Sequence, residues 1–269
     1  MIRTVVVIPV YEGMPKETEK ISLRRCLKVL SNHSICLIAP EGLDISYYKS
    51  VFDKENIPFL LELFPPVFFK GIAGYNKLML SKDFYKRFEA WEYMLIYQLD
   101  AYVFSDKLNE WASKGYDYIG APWKKRNGEV IKDVSGNGGF SLRKTQSFIS
   151  LFSSQGKLLS YKGLCSYYTD FGFLYKWIYI LLGLLFTKYN SITYFTHLKW
   201  AEDLFFARLS YKKVSPFKIP GSDVAKFFSI ELYPGYWLKE NNNQLPFGCH
   251  GWEKGDNLTF WRDYIPEDL

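Results

Sequence analysis

The sequence predicts an α/β protein built on a mostly parallel sheet flanked by helices. Three observations lead there. Short apolar runs closed by proline recur through roughly the first hundred residues, and helix-spaced segments separate them. The second half then changes to glycine-rich turns, one long apolar block and short aromatic runs. No repeat, low-complexity tract or linker interrupts the 269 residues, so a single domain over 1–269 is expected, with a first half over 1–120 and a second over 121–269.

Thr4 to Val10 is β-branched and reads as a buried first strand. Ile21 to Leu30 places Leu23, Cys26, Leu27 and Leu30 on one helical face. Ile35 to Ala39 reads as a second strand, stopped at Pro40, and Pro58 to Phe64 as a third, stopped by Pro65-Pro66. Tyr75 to Phe88 is predicted helical, and Tyr93 to Phe104 is predicted to be the strongest strand. Parallel sheets bind ligands beyond the carboxyl ends of their strands, which directs attention to Pro9–Glu12, Glu41-Gly42 and Asp100.

Composition narrows the function. The net charge of +6 and pI of 8.9 are too mild for a nucleic-acid protein and fit an anionic small ligand or an anionic surface. Aromatics make up 19% of the chain, and such side chains suit sugar faces as well as cores. Cys26, Cys36, Cys165 and Cys249 form no C-x-x-C pair and no zinc spacing, so free thiols in a reducing compartment are expected. The N-terminal apolar run is too short for a signal peptide, which predicts a cytoplasmic protein.

Four segments carry candidate chemistry. Asp100 follows an apolar strand, where it either caps the turn or reaches a ribose hydroxyl or divalent cation. Ser135 to Arg143 contains Gly136, Gly138 and Gly139, which suit a tight hairpin or a close approach to a ligand. Glu202 and Asp203 head a hydrophobic helical start, as favourable N-terminal charge or as a general base. His250 stands in a glycine-bracketed loop, unlike His33 and His197, which read as structural. Phe171 to Phe186 is apolar except for Lys176 but shorter than the roughly 20 residues that a membrane span needs. It reads first as a core or dimer-contact helix, with a monotopic patch flanked by Lys157, Lys162, Lys176 and Lys188 as the sharper alternative.

Taken together these segments resemble a family of GT-A-like glycosyltransferases, formerly a domain of unknown function, that is found in surface-polysaccharide gene clusters. The resemblance runs through Gly74 to Leu80, Tyr97 to Asp100, Tyr116 to Trp123, Gly136 to Arg143, Glu202-Asp203 and Pro246 to His250. Its most specific part is Asp-Tyr-Ile-Gly-Ala-Pro-Trp followed by Gly-Asn-Gly-Gly-Phe-Ser-Leu-Arg. It implies a nucleotide-binding first half and an acceptor-side second half, with a nucleotide-sugar donor and a glycan or lipid-linked acceptor. Pro9, Val10 and Tyr11 would line the base pocket, and Asn76 and Lys77 would lie near the ribose or diphosphate. Asp100 would be the surviving acid of an Asp-x-Asp metal motif, with His250 as its partner toward Mn or Mg. Gly138 and Gly139 would face the donor sugar beside Trp123 and Phe140, and Arg143 would assist there or at the diphosphate. Asp203, or failing it Glu202, would be the base of an inverting transfer.

One departure stands out. The motif reads Asp100-Ala101-Tyr102, so its second carboxylate is absent, and metal-independent catalysis is an alternative. Two other classes remain open. A sugar-1-phosphate nucleotidyltransferase would carry a glycine-rich basic loop where this chain has Val10 to Lys16. A non-catalytic glycan-binding protein would need no nucleotide pocket.

Overall fold

A computed structural model describes residues 2–124, 128–197, 201–211 and 217–266; Trp200 and the side chain of His197 lie outside the described residues. The chain begins β1 (Thr4–Pro9), α1 (Glu17–Leu30), β2 (Ser34–Pro40), α2 (Ser46–Lys54) and β3 (Leu60–Phe64). It continues through α3 (Gly71–Met79), α4 (Lys82–Lys86), β4 (Tyr93–Tyr97), β5 (Ala101–Val103), α5 (Leu108–Ser113), β6 (Tyr118–Ile119), β7 (Pro122–Lys124), β8 (Val130–Ser135) and β9 (Phe140–Lys144). The remainder is α6 (Thr145–Phe152), α7 (Tyr161–Tyr167), α8 (Phe173–Leu185), α9 (Ile192–His197), α10 (Glu202–Tyr211), α11 (Ser222–Phe228), β10 (Ser229–Ile230), α12 (Pro234–Glu240), β11 (Gly248–His250) and α13 (Asp256–Trp261).

The main sheet has six strands in the order β3-β2-β1-β4-β9-β6. β3, β2, β1 and β4 run parallel, while β9 is antiparallel to both β4 and β6. The order turns back at β1, because the chain first builds outward to β3 and then returns to place β4 on the other side. The period-2 pattern of the strands explains how both faces are covered. Val5, Val7, Met94 and Ile96 join a core with Phe84, Tyr85, Phe148 and Phe206. Val6, Ile8, Leu95 and Tyr97 point the other way, to Leu23, Leu27 and Phe140.

The expected first strands and the first helix are present. α1 starts a turn earlier than its apolar stripe, because Glu19 accepts a hydrogen bond from the Lys16 backbone N–H at 2.8 Å and the first turn is acidic. Four expectations need correction. The segment from Tyr93 to Phe104 is not one strand, since the chain turns at Gln98 to Asp100, where the Ala101 N–H donates to the Gln98 carbonyl at 2.8 Å. β5 then enters a second sheet, ordered β10-β11-β5, around Tyr102, Trp237, Trp252 and Trp261. Tyr75 to Phe88 is likewise two helices, separated at Leu80-Ser81.

The glycine-rich segment is not a hairpin either. β8 pairs with β7, whereas β9 pairs with β4 and β6, so Gly136 to Gly139 connects two different sheets. The apolar block forms α8, but only Ile180 and Gly183 are buried, which overturns the reading of a core helix. Among the described residues no helix is long and apolar enough to cross a membrane.

Phe140 lies at the junction of the two sheets. It is fully buried, with its ring 5.2 Å from Phe247 and 5.4 Å from Phe228. A Cβ on Gly248 would come within 2.4 Å of that ring. Gly248→Ala is therefore expected to cost about 1–3 kcal/mol and Phe140→Ala about 3–5 kcal/mol in urea unfolding. The double variant is expected to lose less than the sum, because the smaller side chain makes room for the new methyl group.

Candidate active site

The turn-back in strand order places a cleft beyond the carboxyl ends of β1 and β4. A cavity of about 590 Å³ opens there, within the usual range for small-molecule sites. Its lining comes from both halves of the chain. Pro9, Tyr11 and Asn76 line it from the first part, with Gln98, Leu99 and Asp100 from the turn after β4. Asn137, Gly138, Gly139, Glu202, Asp203, His250 and Lys254 are among those from the second part.

Register explains why Asp100 and His250 meet. β11 pairs antiparallel with β5 so that His250 stands opposite Ala101, the neighbour of Asp100. His250 Nε2 lies 3.0 Å from Asp100 Oδ1, and Nδ1 lies 3.1 Å from Glu231 Oε1. Asn137 holds the other Glu231 oxygen with a 2.7 Å hydrogen bond. Lys254, in the turn after β11, donates to Asp100 Oδ2 at 2.6 Å. Burial disfavours charge on both groups, but their mutual attraction prevails. The His250 ring is raised to about 9, chiefly because Asp100 and Glu231 face it, and is cationic at neutral pH. Asp100 is held well below the usual carboxylate range by His250 and Lys254.

Glycine is required where the loop meets these groups. A Cβ on Gly139 would sit 1.9 Å from His250 Nε2, and one on Gly138 would sit 2.2 Å from Glu202 Oε1. The Gly139 N–H donates to Asn137 Oδ1 at 3.1 Å, which folds the loop against the cavity wall.

Glu202 and Asp203 occupy the first turn of α10 and have different surroundings. Glu202 is buried, and its Oε1 accepts from Arg143 Nη2 at 2.8 Å. Arg143 is fully buried and also donates to the Tyr85 hydroxyl at 2.8 Å. Asp203 accepts a 2.7 Å hydrogen bond from the Leu204 N–H. Burial and then the adjacent Glu202 charge raise its carboxyl to about 7, against the pull of that hydrogen bond and of Arg143.

Of the residues singled out in the sequence, the cavity gathers Pro9, Tyr11, Asn76, Asp100, Gly138, Gly139, Glu202, Asp203 and His250. The others are placed elsewhere. Val10 is buried, its N–H donating to the Ile38 carbonyl at 2.9 Å, so it belongs to the sheet and not to a base pocket. Lys77 is exposed on α3 and lies outside the lining. Phe140 is core, and half-buried Trp123 sits in β7 away from the cavity. Arg143 does not face a ligand, since its guanidinium is spent on Glu202 and Tyr85.

Sequence reasoning missed Gln98, Glu231 and Lys254. Lys254 lies in the turn that follows β11 and carries no sequence signal of its own. Glu231 follows a two-residue strand and gave none.

A divalent ion can be tested against this corner. Asp100 Oδ1 and His250 Nε2 face each other at 3.0 Å, so an ion bound here would replace the proton between them and take both atoms as ligands. Among the described residues no group of three or more His, Cys, Asp or Glu is arranged to hold a metal ion, so other ligands would come from substrate and water.

Residues 59–250 match the family described as "Protein of unknown function (DUF5672)". The chain belongs to that family. No curated protein matches it by sequence. Among solved structures, the fold is similar to that of mouse xyloside xylosyltransferase 1 in its apo form, with a TM-score of 0.51 and 10% identity over 93% of this chain and 97% of that one. It is also similar to the galactosyltransferase LgtC in complex with donor and acceptor sugar analogs, with a TM-score of 0.50 and 9% identity over 91% and 86% of the two chains. The apo glycosyltransferase GlyE of Streptococcus pneumoniae TIGR4 matches at a TM-score of 0.48 and 11% identity over 93% of this chain, which spans only 54% of that one. The shared feature is the GT-A glycosyltransferase fold: a mostly parallel sheet flanked by helices.

The buried ion pair gives a direct test of this geometry. Arg143→Met leaves the Glu202 charge buried and unpaired, and is expected to cost about 3–5 kcal/mol in urea unfolding. Adding Glu202→Leu is expected to recover most of that loss, because no charge then remains buried at the site.

Proposed function

We propose that the chain transfers a sugar from a nucleotide-diphosphate donor to a hydroxyl of a glycan or lipid-linked glycan, as in surface-polysaccharide assembly. The observation that carries this reading is one cavity holding two kinds of chemistry. A cation beside an acid, Lys254 with Asp100, stands at the strand ends, and a carboxyl raised to about 7, that of Asp203, stands in the same cavity.

The exposed face of Tyr11, edge-on to Phe69 at 5.7 Å, supplies an apolar wall for a nucleotide base beside Pro9. Asp100 takes a ribose hydroxyl or, through Lys254, orients the diphosphate. The acceptor oxygen forms a bond to the anomeric carbon as the bond from that carbon to the diphosphate oxygen breaks. The electron pair leaves on the diphosphate, and the Lys254 ammonium stabilises the charge that develops there. The Asp203 carboxylate takes the acceptor proton. A single displacement of this kind inverts the anomeric centre.

Asp203 suits the role because its proton affinity is tuned near neutrality, whereas Glu202 is committed to Arg143. His250 is fixed by Asp100 and Glu231 and holds the turn that presents Asp100. A divalent ion, Mn or Mg, would be held by Asp100 and, once its ring has given up the shared proton, by His250, and would supply further neutralisation of the diphosphate when bound.

A thermal-shift screen against UDP, GDP, CMP and dTDP, with and without Mn, tests the reading. One nucleoside diphosphate is expected to stabilise the protein by about 2.7 kcal/mol at a hundred times its dissociation constant. A screen in which none of them shifts the transition sinks the reading and favours glycan binding without catalysis. Lys254→Ala is expected to weaken that nucleotide about tenfold or more, as loss of a charged hydrogen bond would.

The pH dependence follows from Asp203. As a base it must be ionised, so turnover, measured as nucleoside diphosphate release, is expected to fall about tenfold per pH unit below its value of about 7. Asp203→Asn is expected to lower turnover by about 10²–10⁴ with nucleotide affinity nearly unchanged. Stability should move the other way. The ionised carboxylate is penalised in the fold, so the Asn variant is expected to be more stable above pH 7. That gap should close as pH falls from 7 to about 4, where the unfolded carboxyl also gains its proton.

A further inference from the structure

We infer that α8 is a membrane-surface anchor that seats on an anionic lipid bilayer. Its outward face is built from large apolar side chains. Phe173 is 81% exposed, Leu174 67%, Leu181 56% and Leu185 62%, with Trp177 and Ile178 at 43% between them. These positions recur at helical spacing and form one stripe, while Tyr179, Ile180, Gly183 and Leu184 face the protein. A surface helix normally shows water a polar side, whereas the outward side of α8 carries only Tyr175 and Lys176 beside this stripe. A contiguous exposed stripe of this kind marks an interaction surface.

Charge identifies the occupant. From residue 157 to residue 190 the chain carries Lys157, Lys162, Lys176 and Lys188 against a single acid, Asp170. That acid already lies 3.5 Å from Arg208. Lys162 and Lys188 are exposed, and Lys176 sits 5.7 Å over the Trp177 ring. Lysines flanking an apolar stripe with Trp and Tyr match a bilayer interface, where acyl chains accept the stripe and anionic headgroups meet the ammonium groups. A second copy fits less well, because a two-fold contact would bring these same lysines together without acids to oppose them. The helix has 13 residues, so it lies in the interface and does not cross it.

Cosedimentation with vesicles tests this, and its readout is lipid binding, which is independent of sugar transfer. The wild-type chain is expected to bind equimolar phosphatidylcholine–phosphatidylglycerol vesicles at least about tenfold better than phosphatidylcholine alone, with the difference shrinking at high salt. The variant Leu174→Ser/Ile178→Ser/Leu181→Ser/Leu185→Ser is expected to lose binding to both while keeping the wild-type near-ultraviolet dichroism, since these side chains are exposed. Lys162→Gln/Lys176→Gln/Lys188→Gln is expected to lose about tenfold or more on anionic vesicles only. Wild-type protein that stays in the supernatant with anionic vesicles at low salt overturns the proposal. So does a dimer in sedimentation velocity that the serine variant converts to monomer, because the stripe is then covered by a second copy.

Discussion

The buried pair of Arg143 and Glu202 is the constraint around which the cavity is built. Burying two charges is costly, and only close contact with further hydrogen bonds offsets the loss of water. Arg143 has these, from Glu202, the Tyr85 hydroxyl and Ser141 Oγ at 3.1 Å. The pair ties β9 of the sheet to the first turn of α10, so a helix far away in sequence is fixed against the strand ends. It also sets the identity of its neighbours. Gly138 must lack a side chain because the Glu202 carboxylate fills that space.

A second chain of polar contacts sets the opposite wall. Asn137, Glu231, His250, Asp100 and Lys254 follow one another at hydrogen-bond or ion-pair distance, and acids alternate with cations along it. Each charge therefore has a compensating neighbour, which keeps the network ionised despite burial. The two sheets meet here. The chain leaves the main sheet at Gln98 and enters the small one at Ala101, and β11 returns antiparallel beside it. Asp100 sits on the bend between them, and for that reason a carboxylate can stand at the mouth of an apolar strand.

Much of the first half was legible because its signals are local. β-branched runs ending in proline, and the stripe of Leu23, Cys26, Leu27 and Leu30, encode their elements within a few residues. The candidate site was legible where chemistry and glycine coincide, at Asp100, Gly138, Gly139, Asp203 and His250. What could not be read depends on distant partners. Arg143 looked like a free cation, since nothing near it in sequence announces that Glu202 will neutralise it across 59 positions. Phe140 and Val10 looked like cavity walls, because an apolar residue beside a site and one beneath it have the same composition. Tyr93 to Phe104 carried an unbroken strand pattern, and only the pairing of β5 with β11 explains the bend. In α8 the apolar pattern is legible but not its side, since apolarity alone does not distinguish a helix covered by the core from one that faces outward.

The contrast between Glu202 and Asp203 shows how the helix itself divides labour. Consecutive residues on a helix diverge by about 100°, so adjacent carboxylates cannot share one environment. Glu202 turns inward to Arg143, and its charge is fixed there. Asp203 remains at the cavity, half-buried, with that fixed negative charge beside it and only one backbone N–H in support. The acid that pairs with Arg143 is thus part of what raises the proton affinity of the second, because its charge stands beside Asp203. A neutral residue in place of Glu202 would leave Asp203 more acidic and a weaker base, even if its position did not change. The fold consequently makes one residue an anchor and its neighbour a proton acceptor, through the surroundings of each and not through their chemistry, which is the same.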